Sequence, residues 1–184
     1  MAEGSGRLIR VRKGTAQDLA PVSEIKVRSW ADTYAAVLSP AILRPFLDPK
    51  AQLKELRIEL ERPDSLLLVA VDRKDAVTGF ALTFVDADPA PWLESLHVVG
   101  ELRGQGIGSE LMRATALSLR DRGYNTMRLG VVAGNNRAAR FYERLGGVLE
   151  RTEPALWATG VTHLVYRWPD LESLTKNPPS IAAG

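Results

Sequence analysis

Leu96-His97-Val98-Val99-Gly100-Glu101-Leu102-Arg103-Gly104-Gln105-Gly106-Ile107-Gly108-Ser109 is the stretch on which the reading of this chain turns. An apolar run reads as a strand up to Val99. Three glycines at alternate positions follow, and an amphipathic segment then begins. A glycine-rich turn at a helix start gathers unpaired backbone N–H groups at the positive end of the helix dipole. Such a turn suits a phosphate, because glycine admits close approach and unusual backbone angles. Two readings stay open at this point: a phosphate-holding turn, or a tight strand–helix connection with no ligand. The spacing is GxGxG rather than GxGxxG, and no Gly-Lys-Ser/Thr follows. That argues against a dinucleotide fingerprint and a Walker loop.

Working outward, the helix after this turn runs from about Gly106 to Arg122 and is closed by Gly123. Thr126 to Val132 alternates as a strand, and Asn135 to Leu145 has helical spacing before Gly146-Gly147 stop it. Val161 to Trp168 reads as the last strand. Upstream lie strands at Trp92 to Val99, Val77 to Val85 and Ser65 to Val71, the latter two joined by a hairpin over Asp72-Arg73-Lys74-Asp75. Pro49 opens a helix to Glu61. Pro40 and Pro45 break the region before it. Thr15, with Asp18 three residues on, starts the first helix as a capping box, and Leu19, Val22 and Ile25 form its buried stripe. Arg7 to Lys13 alternates as a first strand. The order β-α-α-β-β-β-α-β-α-β gives an α/β fold with a mixed sheet, since a strand-helix-strand unit implies a parallel pair. One domain is expected over residues 1–184, folded from 7 to 168, with residues 1–6 and 169–184 as flexible ends.

The 184 residues carry 24 basic and 22 acidic side chains, a net charge of +2, two histidines and no cysteine. Disulfides, thiolate zinc sites and cysteine nucleophiles are excluded. His97 and His163 are too few for a histidine metal centre or a triad with anything to spare, so no metal is expected. No apolar run reaches membrane-spanning length. The net charge gives no case for nucleic acid. A cytoplasmic, reducing setting is the expectation. Between Asp64 and Glu101 there are seven acids and two bases; between Arg103 and Arg151 there are nine arginines and four acids. Such asymmetry fits a protein that holds an anion beside a cation.

About 27 residues after the glycine turn comes Asn135-Asn136-Arg137-Ala138-Ala139-Arg140-Phe141-Tyr142-Glu143-Arg144-Leu145-Gly146. The two segments together resemble the "LxVxPExRGxGIG" and "NxxAxxFYxxxGF" motifs of the GNAT acetyltransferase superfamily. The resemblance spans roughly Leu8 to Trp168 and is strongest from Trp92 to Leu149. Gly100 stands where the family has proline, and Gly147 where it has phenylalanine or tyrosine. The resemblance implies a GNAT-like sheet of about seven strands, with two splayed parallel strands, Trp92 to Val99 and Thr126 to Val132, holding acetyl-CoA. It implies main-chain pairing of the cofactor arm near His97, Val98 and Val99. The pyrophosphate would lie on Arg103, Gly104, Gln105, Gly106, Ile107, Gly108 and Ser109, with Arg137 or Arg140 reaching the nucleotide. Asn135 would hold the cofactor or cap its helix. Tyr142 corresponds to the general acid that protonates the leaving thiolate. Glu94 is the candidate base that frees the amine for attack, and His163 a remote alternative.

The acceptor pocket implied by that fold would draw on Trp30 and Tyr34, on Asp86, Asp88 and Trp92, and on Trp157. Aromatic rings near carboxylates suit a cationic amine with an apolar part. The implied activity is transfer of an acetyl group to a primary amine of a small molecule, peptide or protein, in a ternary complex, by a monomer or homodimer. The alternative is a non-catalytic acyl-CoA-binding sensor. Retention of Tyr142, Asn135 and a strand carboxylate favours the enzyme.

Overall fold

The structure is a computed structural model and describes residues 9–176. Seven strands form one sheet in the order β1-β2-β3-β4-β5-β7-β6. They are β1 (Arg10–Lys13), β2 (Ser65–Val71), β3 (Val77–Phe84), β4 (Trp92–Val98), β5 (Met127–Val132), β6 (Val148–Pro154) and β7 (Thr162–Trp168). The helices are α1 (Leu19–Tyr34), α2 (Pro40–Leu43), α3 (Pro49–Glu61), α4 (Ile107–Asp121), α5 (Asn136–Arg144) and α6 (Glu172–Lys176).

β2 shows how one apolar run serves two layers. Successive side chains in a strand point to opposite faces. Leu66, Leu68 and Ala70 join the core beneath α4, with Leu111, Met112, Ala116 and Leu119. Leu67, Val69 and Val71 join Val22 and Ile25 of α1 and Leu56 of α3 on the other face. Each fully buried leucine of this kind contributes about 1.5–3 kcal/mol. α1 starts as its sequence indicates: Thr15 and Asp18 form a reciprocal capping box. Arg12 grips the Asp18 carboxylate through two bonds of 2.8 and 2.9 Å, which holds that carboxyl down at about 2.

All neighbouring strands are antiparallel except β4 and β5, which run parallel. Their register holds at one pair, Trp92↔Arg128, fixed by Arg128 N–H on the Pro91 carbonyl at 2.9 Å. Beyond that pair the strands separate toward the start of α4 and open a cleft. The splayed pair is thus the pair named from the sequence.

Two expectations are corrected. The strand pass left out β6. Its seven residues are nearly all exposed, because it is a sheet edge carrying Glu150, Arg151 and Glu153 and has no buried face to impose an apolar pattern. The segment from 169 to 176 is packed rather than flexible. Leu171 and Leu174 are buried against α4, and the Leu171 N–H bonds the Asn125 carbonyl. Residues 1–8 and 177–184, including the ends expected to be flexible, lie outside the described residues.

Candidate active site

The cleft between β4 and β5 has a volume of about 1560 Å³ and is walled by α1, the α4 start, α5 and the loop before β7. At its glycine turn, Gly104 and Gly106 have φ of +80° and +82°, a left-handed backbone that strongly favours glycine. Gly106 is the N-cap of α4 and no side chain caps it. The first-turn N–H groups of Ile107, Gly108 and Ser109 have no intrahelical acceptor and face the cleft end. Open space surrounds the position a Cβ would take at Gly104. Such a turn forms a cradle of the kind that suits a phosphate anion, and the residues present fit a pyrophosphate.

The glycines do not share one role. A Cβ at Gly108 would sit 3.1 Å from the Phe141 ring, so Gly108 lets α4 and α5 pack closely rather than admitting a ligand. A Cβ at Gly147 would meet the Trp168 ring at 2.8 Å. The indole of Trp168 therefore takes up the space that the family's aromatic would need.

The other expected cofactor residues divide. The Val99 N–H bonds the Thr78 carbonyl across to β3. Main-chain groups alternate along an antiparallel strand, so His97 also turns its own toward β3, and Val98 and Leu96 face the gap. The side chain of His97 packs under α1, its Nδ1 2.8 Å from Ser29 Oγ. Burial, with Lys26 and Arg103 nearby, pushes its pKa to about 3, so it stays neutral. Arg103 folds back onto the Val98 carbonyl at 3.3 Å and onto Ser29 Oγ at 3.2 Å. Gln105 turns out of the cleft, its side-chain amide bonding the Glu101 carbonyl. Arg137 lines the cleft, joined by Arg144, while Arg140 does not. Asn135 caps α5, its Oδ1 accepting from Ala138 N–H at 3.2 Å, and its side chain also lies in the cleft wall.

Tyr142 is buried against Phe141 and Trp168, and it reaches the cleft. Among the described residues its hydroxyl makes no hydrogen bond. Burial, reinforced by Tyr34, raises its pKa well above the usual phenol value, so it keeps its proton. Glu94 opens into the cleft and accepts a 2.9 Å bond from the Trp92 indole N–H. Its enclosed setting raises its pKa; Lys26 and that indole oppose the rise, and Glu55 adds to it.

On the acceptor side, Trp30, Tyr34, Trp92 and Trp157 line the cleft as expected. Asp86 and Asp88 do not: Asp86 pairs at 3.5 Å with Arg62, the C-cap of α3, and Asp88 precedes the Pro89 turn. The sequence reading missed Phe46, which stacks on Trp30 at 3.9 Å and meets Trp157 edge-on at 5.2 Å. It also missed Lys26 and Ser29, polar residues in the buried stripe of α1. Lys26 lies 3.7 Å from Glu55 of α3, and both line the cleft beside Glu94. The signal was a lysine at core spacing. His163 accepts a bond from the Trp157 indole at 3.1 Å, so it holds the wall as a neutral ring. Burial lowers its pKa, against the pull of Glu153.

A mixed sheet splayed at β4 and β5, with a glycine cradle at α4 and a phenol on α5, defines a GNAT-type fold. The model of the acetyltransferase (GNAT) family matches residues 28–147, and the chain belongs to that family. It is 39% identical over 66 residues to the thialysine N-epsilon-acetyltransferase of Bos taurus, a match covering 36% of this chain and 38% of that protein. The chain thus spans well under half the length of that relative. It is 26% identical over 148 residues to the spermidine N(1)-acetyltransferase of Thermoplasma acidophilum, across 79% of this chain and 91% of that one. The crystal structure of PaiA N-acetyltransferase from Thermoplasma acidophilum, in complex with coenzyme A, superposes with a TM-score of 0.73 at 24% identity, covering 87% of this chain and 98% of that one. That likeness shows the fold. Among the described residues no helix is long and apolar enough to cross a membrane.

Proposed function

We propose that this protein transfers the acetyl group of acetyl-CoA to a primary amine that carries a second positive charge. The observation that carries this reading is the cleft itself: one opening joins the α4 cradle, the Tyr142 phenol and the Glu94 carboxylate. Bound acetyl-CoA would supply the thioester.

The chain's groups then divide the work. The N–H groups at the start of α4, with Arg137 and Arg144 beside them, hold the phosphate charge. Leu96 and Val98 offer the edge of β4 to the cofactor arm. Glu94 draws the proton from the amine, directly or through water, since an ammonium is no nucleophile. Tyr142 gives a proton to the departing sulfur. Its raised pKa keeps it in the donor form.

The charges in the cleft support the acceptor class. Arg137 and Arg144 line the cleft with the cradle, whereas Glu94 lines it with Trp30, Phe46 and Trp157; Glu55 and Glu153 also line it, each ion-paired, with Lys26 and with Arg151. Acids with aromatic walls favour an acceptor with a cationic group beyond an alkyl or ring segment. The two named relatives are described as acting on spermidine and on thialysine, both of that kind.

The test is release of free thiol from acetyl-CoA with spermidine, thialysine, lysine amide and an alanine-ending peptide. Turnover fastest with the first three supports the reading. Tight acetyl-CoA binding without thiol release for any amine identifies a sensor instead.

A further inference from the structure

Polar ties divide α1 in two. In its first half Ser23 Oγ donates to the Pro49 carbonyl at 3.0 Å and Lys26 lies 3.7 Å from Glu55, so that half is held to α3. From Arg28 onward, the side-chain hydrogen bonds and ion pairs of α1 among the described residues go to the two segments expected to hold the cofactor. Arg28 donates to Glu101 at 2.9 Å, and Asn135 Nδ2 donates to the Tyr34 hydroxyl at 3.3 Å. Ser29 Oγ is bonded to His97 Nδ1 at 2.8 Å and accepts from Arg103 Nη2 at 3.2 Å, and Asp32 stands 3.9 Å from the same nitrogen. This half also carries Trp30, which stacks on Phe46 in the acceptor wall.

Arg103 is the centre of these ties. The Arg28–Glu101 pair is exposed on both sides, and such pairs are worth little. The Arg103 side chain is only 21% exposed. Its Nε donates to the Val98 carbonyl at 3.3 Å while Nη2 donates to the buried Ser29. A guanidinium holds its donors in one rigid plane, so bonds from Nε and Nη2 together fix it. Asp32 beside Nη2 offsets the charge that a phosphate would seek. The Ser29 proton has His97 Nδ1 as its acceptor among the described residues, so the neutral ring carries its own proton on Nε2. The contact passes over Gly100, where a Cβ would lie 3.4 Å from Asp32 Oδ2 and 4.0 Å from the guanidinium carbon.

We propose that the Arg103 side chain serves the acceptor rather than the phosphates: it clamps the second half of α1 to the edge of β4 and so sets the position of the Trp30 wall. The inference rests on the acetyl-transfer reading above, in which the start of α4, Arg137 and Arg144 hold the phosphate charge. Arg103 acts through Trp30 and is a positioning residue. The Val98 carbonyl has a second lone pair, so the clamp leaves that edge open to the cofactor arm.

Arg103→Met keeps the stem and removes the planar fork. Calorimetry reads two affinities without turnover: acetyl-CoA into the protein alone, and spermidine or thialysine into protein saturated with coenzyme A. The clamp predicts an amine Kd raised about tenfold, the scale of a lost hydrogen-bonded charge, with the acetyl-CoA Kd within about threefold of wild type. A phosphate contact predicts the reverse, a loss of roughly 10- to 100-fold confined to acetyl-CoA. General loosening of the fold would weaken both. Ser29→Ala takes away the hub and leaves the arginine charge in place. It should raise the amine Kd in the same direction and add little to Arg103→Met in the double variant, because both cut one network. Should Arg103→Met show no melting transition, Ser29→Ala decides by the same two titrations. Acetyl-CoA affinity lost about tenfold or more, an unchanged amine Kd, or additive losses in the double variant would each overturn the clamp. A wild-type protein that binds acetyl-CoA and releases no thiol with any amine overturns the acetyl-transfer reading instead, a result separate from the acetyl-CoA titration of Arg103→Met.

Discussion

Trp92 donates its indole N–H to Glu94 Oε2 over 2.9 Å, from two residues earlier on the same strand. The pairing of β4 with β3 skips Glu94, which marks a bulge at that residue, and the indole and the carboxylate both line the cleft. The bond favours the ionised carboxyl, and burial opposes it. The Glu94 carboxyl is thus held above the usual carboxylate range by its enclosure and kept from rising further by Lys26 and by one ring.

From this follows a prediction on pH. Glu94→Gln should lower activity and move its optimum upward, to where the amine deprotonates unaided, since a free amine titrates at about 10. Trp92→Phe leaves the carboxyl in place and removes the donor. Its carboxyl pKa should rise, so the acid limb of the kcat/KM profile should move to higher pH. A parallel drop at every pH in Glu94→Gln would mean that Glu94 only positions the amine.

For Tyr142, the phenol hydroxyl is the only group removed by Tyr142→Phe, and the packing against Phe141 and Trp168 is kept. Turnover should fall about 10²-fold with acetyl-CoA affinity nearly unchanged. Steady-state rates and calorimetric titration check the two halves separately. Turnover within a factor of two of wild type removes Tyr142 from the acid role.

Much of this site could be read from the sequence, and the limits have physical causes. The glycine turn shows in a local pattern, glycines before a helix, whereas Tyr142 was singled out only through the resemblance of its segment to a family motif. Phe46 belongs to the acceptor wall only because the turn after α2 returns it to Trp30, a tertiary contact that no local period records. Asp86 and Asp88 looked like acceptor-side acids because they follow β3, but neither lines the cleft, and Asp86 pairs instead with Arg62 at the end of α3. Edge strand β6 has no buried face, so no hydrophobic period marked it.

The three cradle glycines should respond differently. Gly106 has φ +82°, so Gly106→Val strains the turn by about 1–3 kcal/mol and should abolish measurable acetyl-CoA binding. Gly104→Ala meets no neighbour but must adopt φ +80°, which predicts a moderate loss of affinity. Gly108→Ala presses on Phe141 at 3.1 Å and should lower the melting temperature more than it weakens binding. Calorimetry with acetyl-CoA beside thermal melts separates these outcomes. Equal affinity loss at 106 and 108 would contradict the assignment of Gly108 to packing.

Glu59 carries a prediction on stability. It lies on α3 behind Glu94, its Oε2 buried with no hydrogen-bond partner among the described residues. Burial raises its pKa from 4.5 to about 7; Glu55 and Glu94 add to the rise, and Lys26 and Arg62 oppose it. Between those values the folded chain holds a proton that the unfolded chain has released. Stability then falls as pH rises, because unfolding becomes easier wherever the native state binds the extra proton. The contribution is fully present below 4.5 and lost above about 7. Glu59→Gln keeps the size and cannot ionise, so it should match wild type near pH 4.5 and melt progressively higher than wild type as pH rises to 8. Melting curves of both proteins at intervals from pH 4.5 to 8 decide the matter: a constant difference across that range means that Glu59 is ionised throughout.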